Sequence, residues 1–118
     1  MIVAGFGFSS KATTGSLADA LRIAQTGLPP VTVLATLADK AAALEDLAET
    51  RGLAIIAVSG PLPDTPTQSG PSLRARGTGS VAEACALAVA GEGGYLRRTR
   101  VVSGDGLATC AIAQGGCE

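Results

Sequence analysis

The sequence predicts an α/β domain of three layers, α/β/α. Its sheet is mixed and mostly parallel, has about five strands, and ends in an antiparallel hairpin. Three observations predict it. Short apolar runs alternate with segments of helical periodicity along the first half of the chain. A glycine closes each helical segment. Two strand-like runs near the C-terminal end are separated only by Ser103-Gly104-Asp105-Gly106, a turn composition.

The elements follow in order. Ile2–Gly7 is an apolar run ending in Gly5-Phe6-Gly7 and reads as a buried strand. Phe8–Gly15 is rich in Ser, Lys, Thr and Gly, hence a loop. Leu17, Ala20, Leu21 and Ala24 then recur at helical spacing, so a helix is expected from about Ser16 to Thr26, stopped by Gly27 and followed by Pro29 and Pro30. Val31–Ala35 reads as a second strand. Asp39 is a candidate N-cap for a second helix carrying Leu44, Leu47 and Ala48 on its apolar face and ending at Gly52. Leu53–Val58 is the third strand, and the β-α-β-α-β order predicts parallel pairing with right-handed crossovers. Ser59–Gly79 holds Pro61, Pro63, Pro66 and Pro71 among Gly60, Gly70, Gly77 and Gly79. A stretch of about 20 such residues predicts a mobile loop. Ser80-Val81-Ala82-Glu83 fits a capping box and opens a third helix, which stops at Gly91. Tyr95–Val102 and Leu107–Ala113 form the hairpin.

Composition narrows the function. The 118 residues are expected to form a single domain, with 47% apolar residues but only 3% aromatic ones. Its core is therefore expected to use small and branched side chains. Net charge is -1, so no global field draws the protein to nucleic acid. There is no histidine, which removes Ser-His-Asp and Cys-His catalysis and the commonest metal ligand. Cys85, Cys110 and Cys117 are widely spaced without a CxxC, and read as reduced thiols. No metal site and no cofactor are expected. No run approaches about 18 apolar residues and no signal peptide is recognisable, so a cytoplasmic protein without membrane contact is expected.

The candidate chemistry lies at strand-to-helix junctions. Gly5-x-Gly7 suggests a dinucleotide loop, but position 10 is Ser10 rather than a third glycine, and no acidic residue ends the second strand. A phosphate-binding P-loop is excluded because no GxxxxGK(S/T) occurs: Ser10 rather than a glycine precedes Lys11, and Gly15 comes only after the threonines. What remains is Ser9, Ser10, Lys11, Thr13 and Thr14 gathered at a helix start, where N–H groups and the helix dipole favour carboxylates or phosphates. Thr36, Asp39 and Lys40 form a second junction, and Gly79 and Ser80 a third. All three belong at the carboxyl edge of a parallel sheet. Arg74 and Arg76 in the long loop are candidates to clamp carboxylates. Arg97, Arg98 and Arg100 fit a charge-protected edge strand, with Arg98 and Arg100 on one face and Arg97 on the other.

These pieces in this order resemble the cobalamin-biosynthesis family formed by CobE and the C-terminal domain of CbiG. The resemblance rests on Gly5-Phe6-Gly7 with its Ser/Lys/Thr loop, the following Leu-Ala-Asp-Ala-Leu helix, and Val33-Leu34-Ala35-Thr36 with Asp39-Lys40. It continues through Leu44-x-x-Leu47-Ala48, Gly52-Leu53, Ser80-Val81-Ala82-Glu83-Ala84 and Ala108-Thr109-Cys110-Ala111-Ile112-Ala113. Nearly the whole chain is covered. The family's first loop reads Gly-x-Gly-Cys followed by a basic pair. Here Phe8 stands for the cysteine and Ser9-Ser10-Lys11 for the pair, and a run of arginines stands where the family has a lysine on the fourth strand.

The resemblance implies a role in corrin-ring assembly and a precorrin or corrinoid ligand, whose acetate and propionate groups suit hydroxyls, cations and helix starts. It leaves three roles open. The chain is a binding or accessory factor, a hydrolase of a precorrin lactone, or a docking subunit for another corrin-pathway enzyme. A hydrolase would need a general base, for which the candidates are Asp39, Glu83 and Asp105; Glu83 is expected to be occupied by its capping box, which makes Asp39 the preferred one although its cap role competes.

Overall fold

The computed structural model describes residues 2–9, 11–58, 81–91 and 93–115, with Asp39 described by its backbone alone. Its elements are β1 (Ile2–Phe8), α1 (Thr14–Gln25), β2 (Val33–Leu37), a 3-10 segment (Ala38–Leu44), α2 (Glu45–Arg51), β3 (Ala54–Val58), α3 (Val81–Ala90), β4 (Tyr95–Val102) and β5 (Ala108–Gln114). The strands form one five-stranded sheet in the order β3-β2-β1-β5-β4. β1, β2 and β3 are parallel, and β5 runs antiparallel to both β1 and β4. This is the mixed sheet with a C-terminal hairpin that the sequence predicts.

Alternation along the strands divides the core in two. Ile2, Ala4 and Phe6 of β1 face α1 and α2, where they meet Leu17, Leu21 and Leu47. Val3 of β1 faces α3 and lies in the second cluster with Val33, Ala35, Cys85, Ala86 and Ala113. Helices therefore cover both faces, giving the three layers expected. Burying side chains of this size at roughly 25 cal/mol per Å² of apolar surface is what holds helix to sheet.

Gly5 and Gly7 point toward α3. A Cβ at Gly5 would lie 2.1 Å from the Ala82 carbonyl oxygen and 2.6 Å from the Ala86 amide nitrogen. One at Gly7 would lie 3.2 Å from Val81 Cβ. The absent side chains let the helix backbone settle on the strand.

Several boundaries differ from the sequence expectation. Phe8 continues β1 because it pairs with Ala108 of β5. β2 lies at Val33–Leu37 rather than Val31–Ala35. Helix α1 begins before Ser16: Thr13 is the N-cap, its hydroxyl accepts the Ser16 N–H, and the Ser16 hydroxyl accepts the Thr13 N–H. Asp39 does not cap the second helix. It lies inside the 3-10 segment, whose N-cap is Leu37, and α2 begins only at Glu45. Gly52 closes α2 with φ 68, and its N–H reaches the Ala48 and Glu49 carbonyls.

β4 is an edge strand, as its arginines suggest, but its register shifts between Leu96 and Arg98 and again between Arg98 and Val101. Arg98 opposes Ile112 and Val101 opposes Cys110, both of the α1 face, so strict alternation along β4 is interrupted between these two residues. Arg98 closes the C-terminal end of α1, donating to the Ala24 carbonyl at 3.1 Å and to the Thr26 carbonyl at 2.5 Å. Beside the second irregularity, the Arg100 N–H donates to the fully buried Glu83 carboxylate of α3 at 3.0 Å. A bulge leaves backbone groups without ladder partners, and here a helix side chain satisfies one. The Ser80 half of the expected capping box lies outside the described residues. Among the described residues, no helix is long and apolar enough to cross a membrane.

Candidate functional site

The carboxyl ends of β1 and β2 lie side by side, because these strands pair in parallel. Val81, the first residue of α3, meets the position of Gly7. The β4–β5 turn joins them, since Phe8 pairs with Ala108. All the predicted junctions that are described therefore converge on one edge of the sheet, where ligands of open α/β sheets bind.

The side chains at this edge differ in how they are engaged. The Ser9 N–H donates to the Leu107 carbonyl at 3.0 Å, and its hydroxyl accepts the Lys11 N–H at 3.2 Å. Lys11 and Thr14 are exposed. Thr13 is exposed too, but its hydroxyl is engaged in capping α1. The Thr36 hydroxyl is buried and donates to the Phe6 carbonyl at 3.0 Å, so it ties β2 to β1. Gly5 and Gly7 lie below the edge, under α3. Lys40 is half-buried; its Nζ donates to the Phe8 carbonyl at 2.5 Å and lies 5.0 Å from the centroid of the Phe8 ring. Ser10, Arg74, Arg76, Gly79, Ser80 and the Asp39 side chain lie outside the described residues.

Two acidic residues organise the remaining corner. Asp105, in the β4–β5 turn, accepts the Ser103 hydroxyl at 2.5 Å, the Ser16 hydroxyl at 2.5 Å and the Leu107 N–H at 3.0 Å. The Ser103 and Ser16 hydroxyls and the Leu107 N–H hold its pKa down at about 2. Helix α1 has no acidic residue in its own first turn, and Asp105 supplies one from the turn. Asp19 accepts the Gly104 N–H at 2.7 Å and pairs with Arg22 at 2.6 Å. The Gly104 N–H, then Arg22, hold its carboxyl below its ordinary range. Both acids pin the turn to α1.

This bears on base chemistry. Asp105 is a weak acceptor for a substrate proton, because three donors already stabilise its ionised form. Glu83 is buried beneath β4. Of the thiols, Cys110 is buried, and burial pushes its pKa up. Among the described residues, no cluster of three or more acidic or cysteine side chains could hold a metal ion.

Asp19 is a residue of this edge that the sequence reading did not single out, and Phe8 was noted there only as standing for the family's cysteine, not as the partner of Lys40. The scarcity of aromatics could have drawn attention to Phe8. Asp19 carries no local signal, because its partner lies 85 residues further along the chain.

The profile of the Cobalamin synthesis G C-terminus family matches residues 2–113. The chain belongs to that family. Solved structures agree with the assignment. The CbiG C-terminal fold seen here is similar to CobE, a protein from the cobalamin (vitamin B12) biosynthetic pathway. That likeness has a TM-score of 0.79 at 24% identity, covering 96% of this chain and 89% of CobE. It is also similar to the cobalamin biosynthesis protein chiG from Agrobacterium tumefaciens str. C58, with a TM-score of 0.70 at 30% identity over 97% of this chain and 98% of that one. A cobalamin biosynthesis protein G homolog from Sulfolobus solfataricus shares the fold with a TM-score of 0.70 at 18% identity, where the match spans 97% of this chain and 36% of that chain. No match was found among curated proteins. This CbiG C-terminal family member is thus a cobalamin-biosynthesis protein of the CobE/CbiG type.

Proposed function

We propose that the protein binds a polycarboxylate precorrin or corrinoid intermediate at the carboxyl edge of its sheet and acts as a binding or accessory factor in corrin-ring assembly. The observation that carries this reading is the convergence of the β1–α1 junction, the β2 junction and the start of α3 on one edge that holds Lys11 and Lys40. A macrocycle bordered by acetates and propionates needs cations and hydrogen-bond donors spread over such a width, with apolar surface between them. Family membership supplies the chemistry of the ligand, and the edge supplies donors that suit it.

Two of the three candidate bases favour binding over hydrolysis, which leaves Asp39 as the base a hydrolase would need. Asp105 and Glu83 are engaged in holding the fold, so neither stands ready to activate water. We place this role in the cytoplasm, where the thiols stay reduced.

Titration with hydrogenobyrinic acid, followed by absorbance and calorimetry, tests the reading. A dissociation constant of about 1 μM or tighter is expected, which is about -8 kcal/mol. It weakens as salt is raised and weakens modestly in Lys11→Ala. Absence of any spectral or calorimetric change at millimolar ligand rejects it.

A further inference from the structure

Lys40 is placed against its local preference. It lies in the first turn of the 3-10 segment Ala38–Leu44, where the exposed N–H groups of a helical start disfavour a cation. It is nevertheless held there. Its ammonium donates to the Phe8 carbonyl at 2.5 Å and stands 5.0 Å from the Phe8 ring centroid, while Phe8 itself packs against the α1-side core. Among the described side chains, no carboxylate forms an ion pair with it. An ammonium has three N–H donors, and the Phe8 carbonyl takes one. A residue that breaks a local rule while being fixed by its neighbours marks a place where function outweighs local stability.

We infer that Lys40 is the fixed carboxylate-binding cation of the edge and determines its preference for ring carboxylates over ring amides. This rests on the binding role proposed above. Lys11 is exposed and must give up side-chain freedom on contact, whereas Lys40 has already lost it. The half-buried setting also screens its charge less than water screens that of Lys11.

A purely structural role is the competing account, in which Lys40 only satisfies the Phe8 carbonyl. Four variants separate the two: Lys40→Met, Lys40→Gln, Lys40→Arg and Lys11→Ala. Each is titrated with hydrogenobyrinic acid and with cobinamide, whose side chains are amides, and its thermal midpoint is recorded. Loss of a partly desolvated charge contact is expected to weaken hydrogenobyrinic acid binding by about tenfold or more in Lys40→Met and Lys40→Gln. Cobinamide binding is unchanged in both, Lys40→Arg stays within about threefold of the parent, and Lys11→Ala falls by only about two- to threefold. The two neutral variants also lose part of the salt dependence. Wild-type affinity in Lys40→Gln, whose amide N–H can still serve the Phe8 carbonyl, overturns the inference. So does an equal loss for both ligands, which would report a damaged fold. Failure of the parent protein to bind hydrogenobyrinic acid overturns the binding role itself, and the inference with it.

Discussion

Alanine at position 5 would place a methyl group where the backbone of α3 already lies. The new Cβ would stand 2.1 Å from the Ala82 carbonyl oxygen and 2.6 Å from the Ala86 nitrogen, whereas real Cβ atoms essentially never come within 3.0 Å of such neighbours. Both obstacles are helix backbone and cannot rotate away. The helix must withdraw by roughly an ångström, and a gap of that size forfeits a quarter to a half of each dispersion contact across it. Val81, Ala82, Cys85 and Ala86 are buried along this face, so the loss is spread over the whole helix–sheet contact. Overpacking of this severity costs about 3 kcal/mol or more, which lowers the thermal midpoint by about 10 °C or more. At Gly7 the added Cβ meets the Val81 side chain at 3.2 Å, and Gly7→Ala should cost about 1 kcal/mol. Urea unfolding of the parent, Gly5→Ala, Gly7→Ala and Gly15→Ala measures the series. At Gly15 the nearest neighbour is Thr13 Oγ1 at 3.5 Å, which is ordinary contact. A Gly5→Ala cost below about 1 kcal/mol, or equal costs at all three positions, would refute the close-approach argument.

Two further outcomes follow from the acids. The folded pKa of Asp105 lies below its ordinary 3.8, at about 2, so its contribution is present above pH 4 and is lost as pH falls toward 2. Urea midpoints should fall across that window, with Asp19 contributing in the same direction, and the fall should shrink in Asp105→Asn. An unchanged pH profile in that variant contradicts the clamp on α1. Glu83→Ala strands the Arg100 N–H under β4 and should cost about 2 to 3 kcal/mol. Glu83→Gln keeps an acceptor there and should cost less; equal losses would argue against the hydrogen bond as the cause.

β1, β2, β3 and β5 were legible because each is a largely apolar run bounded by turn residues, β4 because a turn composition joins it to β5, and the pairing because β-α-β order restricts it. Their ends were less so. Phe8 reads as loop, and only β5, a hundred residues away along the chain, makes it strand. The start of α1 is ambiguous in sequence because Ser9, Ser10, Thr13, Thr14 and Ser16 all suit a cap; the structure selects Thr13 and uses Ser16 as its reciprocal partner. Asp39 carries a local cap signal, yet the chain winds through a 3-10 segment there and Lys40 is tied to β1. Gly5-x-Gly7 was the most conspicuous motif of the first loop. Its physical reason is contact with Ala82 and Ala86, far along the chain, and no local pattern could show that. The carboxyl edge itself was legible, since topology alone places the junctions there. How Thr36, Thr13 and Asp105 are engaged was not, because each bond depends on packing between elements.

The central claim is that the edge recognises the carboxylates of a corrin ring. Parallel titrations of hydrogenobyrinic acid and cobinamide at low and physiological salt test it most directly. The account predicts tight, salt-sensitive binding of the carboxylate ring, at about 1 μM or better, and binding of the amidated ring weaker by about tenfold or more. Equal affinity for the two rings, or no binding of hydrogenobyrinic acid at millimolar concentration, would contradict it.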